Sequence, residues 1–322
     1  MSPAITDVPG VLVGHAHDAD ALTGCTVVLT TDGAVGAVDV RGGGPGTRET
    51  DLLNPVSLVS EVHAVALCGG SAFGLAAANG VVDWLHAHQM GYDVGVTRVP
   101  IVPAAVIFDL RIGRSDRWAD APLGYAACEA AGTTTPEGCV GAGMGATVGK
   151  ILGAEAATKS GVGTWSETLA DGTVIGALVV CNAFGDVWRE GGSILAGARD
   201  LQRGGFADSS QMLRQAQIQA GFPTRAKEES NTTLAVVVTD AQLTKAETTK
   251  LAQMAQNALP RTIRPIHTPF DGDTVFALSA GRRPAAHLAI LGSVAADVVA
   301  RAIERAVTEA TAAGGLPAAR DL

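Results

Sequence analysis

The segment Glu229-Ser230-Asn231-Thr232-Thr233-Leu234-Ala235-Val236-Val237-Val238 holds the residues with most to offer chemically. Polar residues stop at an Asn–Thr bond, and a β-type apolar run starts at once. A Thr at the mouth of such a strand has its hydroxyl fixed by a stiff β-branched side chain. If the Asn231–Thr232 bond is cut, Thr232 gains a free α-amino group, a general base for its own hydroxyl. The same residues also read as an ordinary strand entrance, so their partners must decide. Downstream, His267-Thr268-Pro269-Phe270-Asp271-Gly272-Asp273-Thr274 places two carboxylates two residues apart beside a strand. In an extended segment such positions share a face, so Asp271 and Asp273 can hold an ammonium and a hydroxyl together. A solvated Asp-Gly-Asp turn or a cation loop is the alternative. A calcium loop needs further oxygen ligands, and Val275-Phe276-Ala277-Leu278 supplies none.

Lys150 closes Gly141-Ala142-Gly143-Met144-Gly145-Ala146-Thr147-Val148-Gly149-Lys150. As a phosphate loop this segment fails twice: Met144 stands where glycine is required, and Ile151 where the magnesium-binding Ser or Thr belongs. Its first residues fit a dinucleotide fingerprint loosely, without a convincing preceding strand. A Lys beside an apolar glycine loop can lie near a nucleophile and lower its proton affinity, or be a surface charge. Asn182 ends the apolar run 174–181, where a neutral amide suits an oxyanion donor or a turn. Ser71, in Gly69-Gly70-Ser71-Ala72-Phe73-Gly74, sits at a strand-to-helix turn. Phe73 breaks the G-x-S-x-G spacing, which leaves a helix N-cap as its role. The N–H groups of Gly69 and Gly70 are still available to line a site. The seven histidines include no H-E-x-x-H, and His86 and His88 point to different sides of a helix, which argues against a metal pair. Trp118 and Trp165 read as packing residues.

The elements that must position these groups form one mixed α/β body. β-type runs are expected at 25–30 and 34–38, joined by Thr31-Asp32-Gly33 as a hairpin, and at 62–67, 174–181, 234–239 and 274–279. Helices are expected at 71–88, 209–220, 244–259 and 285–313, the last with a break near Gly292. Short connections between strands point to mixed or antiparallel sheets covered by helices. The polar stretch 223–229 reads as an exposed processing loop.

At 322 residues the chain can bury a large core, and with 47% hydrophobic but only 4% aromatic residues that core must be built from Ala, Val, Leu and close glycine contacts. A net charge of −9 argues against nucleic acid and acidic membranes as partners. No apolar run is long enough to span a bilayer, and the N-terminus lacks the pattern of a signal peptide. The five cysteines are scattered without a Cys-x-x-Cys, which argues against disulfides and structural zinc. A reduced, cytoplasmic protein is the expectation.

Taken in order, these segments resemble one family over nearly the whole chain. They are Gly42-Gly43-Gly44, Leu67 to Leu75, Val106-Ile107-Phe108-Asp109, Gly141-Ala142-Gly143-Met144 with Lys150, Val180-Cys181-Asn182, Asn231-Thr232-Thr233, and Phe270 to Thr274. The family is that of the self-cleaving N-terminal-nucleophile hydrolases: L-aminopeptidase/D-esterase, β-peptidyl aminopeptidases and nylon-oligomer (6-aminohexanoate oligomer) hydrolase. Asn-Thr at the cut and two Asp downstream look closer to the nylon-oligomer branch. The order and spacing of the parts are far more specific than any one of them.

The resemblance implies a four-layer αββα sandwich shared with ornithine acetyltransferases. It implies one hydrolase domain over 1–322 that cuts itself between Asn231 and Thr232 into 1–231 and 232–322. Carried over by motif, Thr232 is the nucleophile, Lys150 and Asn182 line the site, and Asp271 and Asp273 position and polarise the Thr232 amine and hydroxyl. Gly69, Gly70 and Phe108 are expected at the substrate. Relatives often carry Tyr where this chain has Phe108, so an oxyanion or substrate contact from a Tyr hydroxyl is missing or supplied otherwise. The implied substrate is a short peptide or amide, an ω-amino-acid oligomer included. No metal or organic cofactor is implied, and a homo-oligomer, with a tetramer admissible, is. An ornithine acetyltransferase-like acyl transfer and a non-catalytic ligand-binding protein are the alternatives.

Overall fold

Alternating side chains build the frame. In the strand Thr232–Ala241, Leu234, Val236 and Val238 enter one core and Ala235 and Val237 another. A strand buried on both faces reads as a continuous apolar run, which is why 234–238 shows no polar alternation. The structure, a computed structural model, describes residues 2–216, 231–284 and 287–322. The processing loop expected at 223–229 lies outside them.

Nine strands form one mixed sheet. Its order is Val162–Thr168, Val174–Asn182, Thr232–Ala241, Thr274–Arg283, Thr23–Val40, Glu61–Cys68, Ala104–Val106 and Thr47–Arg48, with Val11–Asp18 paired to Thr23–Val40 off this path. Thr232–Ala241 runs parallel to Thr274–Arg283, and Glu61–Cys68 parallel to Ala104–Val106. The remaining pairs of this sheet are antiparallel.

Three cores separate four layers. The helices Lys245–Ala255, Ala258–Thr262 and Leu288–Thr308 pack on one sheet face around Ala235, Val237, Ile175 and Val179. The helices Ala77–Ala87 and Ala121–Glu129 pack around Cys25, Val27, Ala64 and Ala66. Between them, Val28, Val65, Leu67, Leu178, Leu234, Val236 and Phe276 pack face to face. The one hydrogen-bonded sheet thus packs against itself across this core, which gives the expected helix–sheet–sheet–helix layering. Among the described residues no helix is long and apolar enough to cross a membrane.

Three local expectations need correction. Residues 23–40 are one strand and not a hairpin. Leu29 faces Ala64 while Ala34 faces Val62, so five steps (29 to 34) oppose two (64 to 62) and the extra residues bulge out. Gly33 takes a φ of +79° within that bulge. The strand continues because Val35 to Val40 find a new partner in Thr274–Ser279. The hairpin lies upstream, between Val11–Asp18 and the start of Thr23–Val40. Second, Leu288–Thr308 is unbroken at Gly292. That glycine admits Met254, whose sulfur would lie 2.3 Å from an added Cβ, so it serves packing and not a break. Third, Ser71 is not an N-cap. Gly70 holds the cap position of the 3₁₀ turn Ser71–Ala76, no side chain caps it, and Ser71 itself has a φ of +55°. The helix expected at 71–88 is accordingly a 3₁₀ turn followed by Ala77–Ala87.

Candidate active site

Strand register brings the site together. Thr232 lies directly opposite Asn182 in the antiparallel pair. On its other side, the parallel pairing of Leu234 with Thr274 draws the preceding loop alongside, where Asn231 and Asp271 form an isolated bridge. Thr232, Asn182, Asp271 and Asp273 are all buried, and Lys150 is 8% exposed. Five of the residues singled out in the sequence thus meet at one end of the central strands.

At the junction itself, Thr232 Oγ1 donates to the Asn231 carbonyl oxygen at 2.6 Å. The Gly272 N–H donates to that same oxygen, also at 2.6 Å. Gly272 must be glycine here: an added Cβ would sit 2.8 Å from Thr232 Oγ1 and 2.9 Å from the Gly44 carbonyl oxygen. The Gly44 N–H donates to the Asp271 carbonyl at 2.8 Å, which ties the Gly42-Gly43-Gly44 loop to the acidic segment.

The two carboxylates are held differently. Asp273 Oδ1 accepts the Thr233 N–H at 2.7 Å, and its Oδ2 accepts from the His267 N–H at 3.1 Å and from His267 Nδ1 at 3.0 Å. Asp271 Oδ2 accepts from the Thr268 N–H and hydroxyl at 2.8 and 2.6 Å, while Oδ1 has no hydrogen-bond partner among the described residues. Burial, and then the neighbouring Asp273 charge, push the Asp271 carboxyl up to about 6. A carboxylate with one open oxygen and raised proton affinity can accept a proton near neutrality.

Lys150 approaches from the opposite wall. Its Nζ donates to the Asn182 carbonyl at 2.9 Å and to Asn182 Oδ1 at 2.8 Å. Oδ1 also accepts the Thr147 N–H at 3.1 Å, and Asn182 Nδ2 donates to the Phe108 carbonyl at 3.1 Å. The Asn182 amide therefore aims the ammonium. A cavity of about 320 Å³ opens beside it, lined by Phe108, Ile112, Thr147 and Lys150 with Asp109, Arg111 and Glu155 among its polar walls. Phe108 lines that cavity. Gly69 and Gly70 stand behind the wall: their N–H groups go to the Gly24 carbonyl at 2.8 Å and to Asp109 Oδ1 at 2.7 Å.

Four residues escaped sequence reasoning. Gly272 at the Asn231 carbonyl carries no side-chain signal. His267 precedes the acidic pair by an even number of residues, which was the only available hint. Asp109, buried and pushed up to about 6 by that burial, accepts from Thr23 Oγ1 at 2.8 Å. Lys159 is fully buried. Among the described residues no three His, Cys, Asp or Glu side chains gather as a metal site.

Comparison with known proteins bears on the family and the fold. The sequence model described as Peptidase family S58 matches residues 3–319. An uncharacterized aminopeptidase of Mycobacterium tuberculosis is 44% identical, over 99% of this chain and 97% of its own length. A 6-aminohexanoate-oligomer endohydrolase of Paenarthrobacter ureafaciens is 33% identical, over 85% of this chain and 74% of its own. Among solved structures, the L-aminopeptidase D-Ala-esterase/amidase of Ochrobactrum anthropi, described as a variant of the Ntn hydrolase fold, superposes with a TM-score of 0.72 at 19% identity, covering 98% of this chain and 89% of that one. A Burkholderia sp. β-aminopeptidase superposes at 0.68 with 23% identity, covering 99% and 90%.

Proposed function

Because this chain belongs to peptidase family S58 and is a hydrolase of peptide or amide bonds, we propose that Thr232 is its nucleophile, freed as an N-terminus by cleavage of the Asn231–Thr232 bond. The observation that supports this most is the doubly bonded Asn231 carbonyl oxygen, with Thr232 Oγ1 and the Gly272 N–H both on it.

In the first stage Oγ attacks the Asn231 carbonyl carbon and its proton passes to Asp271. The oxyanion is held by the Gly272 N–H. The proton then moves to the Thr232 nitrogen as the C–N bond breaks, leaving an ester and a free amine. Water hydrolyses the ester, releasing Asn231 as a carboxylate and restoring the hydroxyl. In the second stage the Thr232 amine, with an ordinary pKa of about 8, takes the Oγ proton as Oγ attacks an external amide. Lys150, aimed by Asn182, steadies the negative oxygen. The amine returns its proton to the leaving nitrogen, and water cleaves the acyl-enzyme.

The substrate we assign is a short peptide or amide with a free amine, ω-amino-acid oligomers included. The cavity beside Lys150 has apolar walls for an unbranched chain, its polar groups are of both signs (Asp109, Glu155, Arg111 and Lys150), and Asp271 with its open oxygen is the acid we assign to a cationic end. The names of the relatives, an aminopeptidase and a 6-aminohexanoate-oligomer endohydrolase, fit that shape. A homo-oligomer in a reducing, cytoplasmic setting belongs to the same proposal: Val56, Leu58 and Val96 are apolar and almost fully exposed, and all five cysteines are free.

Intact-mass analysis tests the proposal. Fragments of roughly 23 and 9 kDa are expected from an activated Thr232, the smaller beginning Thr-Thr-Leu-Ala-Val. Thr232→Ala must abolish both self-cleavage and release of amine from amino-acyl p-nitroanilides and 6-aminohexanoate oligomers. Turnover by purified Thr232→Ala protein, or a cut at another bond, refutes the assignment.

A further inference from the structure

Asp273 is the most firmly held acid of the site, and the residue that holds it is half-buried His267. Both contacts from His267 fall on one carboxylate oxygen: the backbone N–H at 3.1 Å and Nδ1 at 3.0 Å. Against a carboxylate, Nδ1 must carry the proton. Two donors from one residue can converge on one atom here because His267 has a φ of +56°. That left-handed conformation is disfavoured for residues with a Cβ, with Asn, Asp and Gly best suited to it. A strained backbone beside a reacting centre points to function when the surrounding bonds enforce it.

We infer that His267 is a positioning residue for the nucleophile: it locks Asp273 so that the free oxygen, Oδ1, holds the Thr233 N–H and with it the mouth of the Thr232 strand. The chain of contacts is short. His267 grips Oδ2, Oδ1 grips the amide one residue beyond Thr232, and Thr232 Oγ1 lies on the Asn231 carbonyl oxygen. With both oxygens bonded to N–H groups, Asp273 serves as a fixed anion, and Asp271 is left as the acid with an open oxygen. A carboxylate that gained a second rotamer would let the strand mouth drift. Displacements of about 1 Å at such a site cost on the order of 10²-fold in rate.

The inference rests on Thr232 being the nucleophile, and the test separates the two. His267→Gly keeps the left-handed backbone and its N–H but deletes the imidazole donor. His267→Asn tolerates the same backbone and returns an N–H donor near the place of Nδ1. His267→Asp has the shape of Asn but offers only acceptors. Self-cleavage rate, kcat and KM on an amino-acyl p-nitroanilide, and melting temperature are measured for each, with Thr232→Ala alongside. The expected result is a kcat and self-cleavage rate about tenfold to a hundredfold lower in His267→Gly with KM unchanged, and recovery to within about threefold of wild type in His267→Asn. Should the glycine variant not fold, the Asn/Asp pair decides, with Asn expected about tenfold or more faster. Wild-type kcat in His267→Gly, or equal kcat in the Asn and Asp variants, overturns the inference. Activity in Thr232→Ala overturns the nucleophile and leaves the comparison among position-267 variants to be read by itself.

Discussion

Lys150 and Lys159 are nine residues apart, both buried, and both bonded through Nζ to backbone carbonyls. Lys150 meets the Asn182 carbonyl and Oδ1 and borders the cavity. Lys159 meets the carbonyls of Gly143, Ala146 and Ser160 at 3.1, 2.9 and 2.5 Å and is 0% exposed. Burial lowers the proton affinity of Lys159. The contrast teaches that a buried, perturbed cation is not by itself a catalytic one. What separates the two is whether space for a reacting oxygen adjoins the ammonium. Lys150 has that space, while Lys159 closes the turn Gly141–Gly145 that leads to Thr147 and Lys150. One cation faces the cavity and the other holds the loop that carries the first.

The sharpest way to break this contrast is Lys150→Met, which keeps volume and deletes the charge. Turnover should fall roughly 10²–10⁴-fold, the range for removing a positioned electrostatic or proton-handling group. The melting temperature should fall less than in Lys159→Met, because water in the adjoining cavity can replace the lost donor. Steady-state kinetics beside a thermal melt reads both, and near-wild-type turnover would remove Lys150 from the site.

The same contrast recurs between Asp271 and Asp109, each pushed up to about 6 by burial. Only Asp271 adjoins the Asn231–Thr232 bond, through its bridge with Asn231. Before cleavage there is no Thr232 amine, so the first proton acceptor must be a side chain. Self-cleavage, followed by gel or mass against time, should therefore be constant above about pH 6 and fall about tenfold per pH unit below it, as Asp271 takes up a proton and can no longer accept one from Oγ. Turnover by the mature enzyme should lose rate from a higher pH, near the ordinary amine value of about 8. Asp109→Asn should leave the self-cleavage limb where it is; a limb that moves with Asp109 would exchange the two roles. For stability the sign is separate. Both folded values lie above the usual carboxylate value, so these groups favour the fold most fully below about 4, and that contribution is lost as pH rises through about 6.

How far the sequence exposed this follows from what each feature depends on. Thr232, Asp271, Asp273, Lys150 and Asn182 were legible because reactive side chains sit at ends of apolar runs, and those runs are the strands that bring them together. The layering was legible through the resemblance of motifs in order. The continuity of Thr23–Val40 was not: Thr31-Asp32-Gly33 has the composition of a hairpin turn, and only the second partner strand makes it a bulge. Ser71 misled in the same way, since a serine before a helix suggests a cap until its φ of +55° is seen. Gly272 was out of reach because its contribution is a backbone N–H. Lys159 was hidden because its three acceptors are backbone carbonyls, two of them from the turn at Gly141–Gly145 and its cap.

Lys159 therefore supplies the smallest and most discriminating test. Lys159→Met fills most of the same volume but removes the ammonium from the carbonyls of Gly143, Ala146 and Ser160, of which the first two still accept the Ala146 and Ser160 N–H groups. Hydrogen bonds from a charged donor are worth about 1.5–3 kcal/mol each, and their loss is partly offset because a lysine ammonium no longer has to be held out of water. A net loss of about 1–3 kcal/mol is expected, read as a lower denaturant midpoint at unchanged slope. Turnover per folded molecule should stay within about threefold, because Asn182, not Lys159, holds Lys150 by direct hydrogen bonds. If instead Lys159→Met keeps its midpoint and loses turnover as Lys150→Met does, the two cations act as one unit, and the line drawn between the loop-holding and the substrate-facing lysine is wrong.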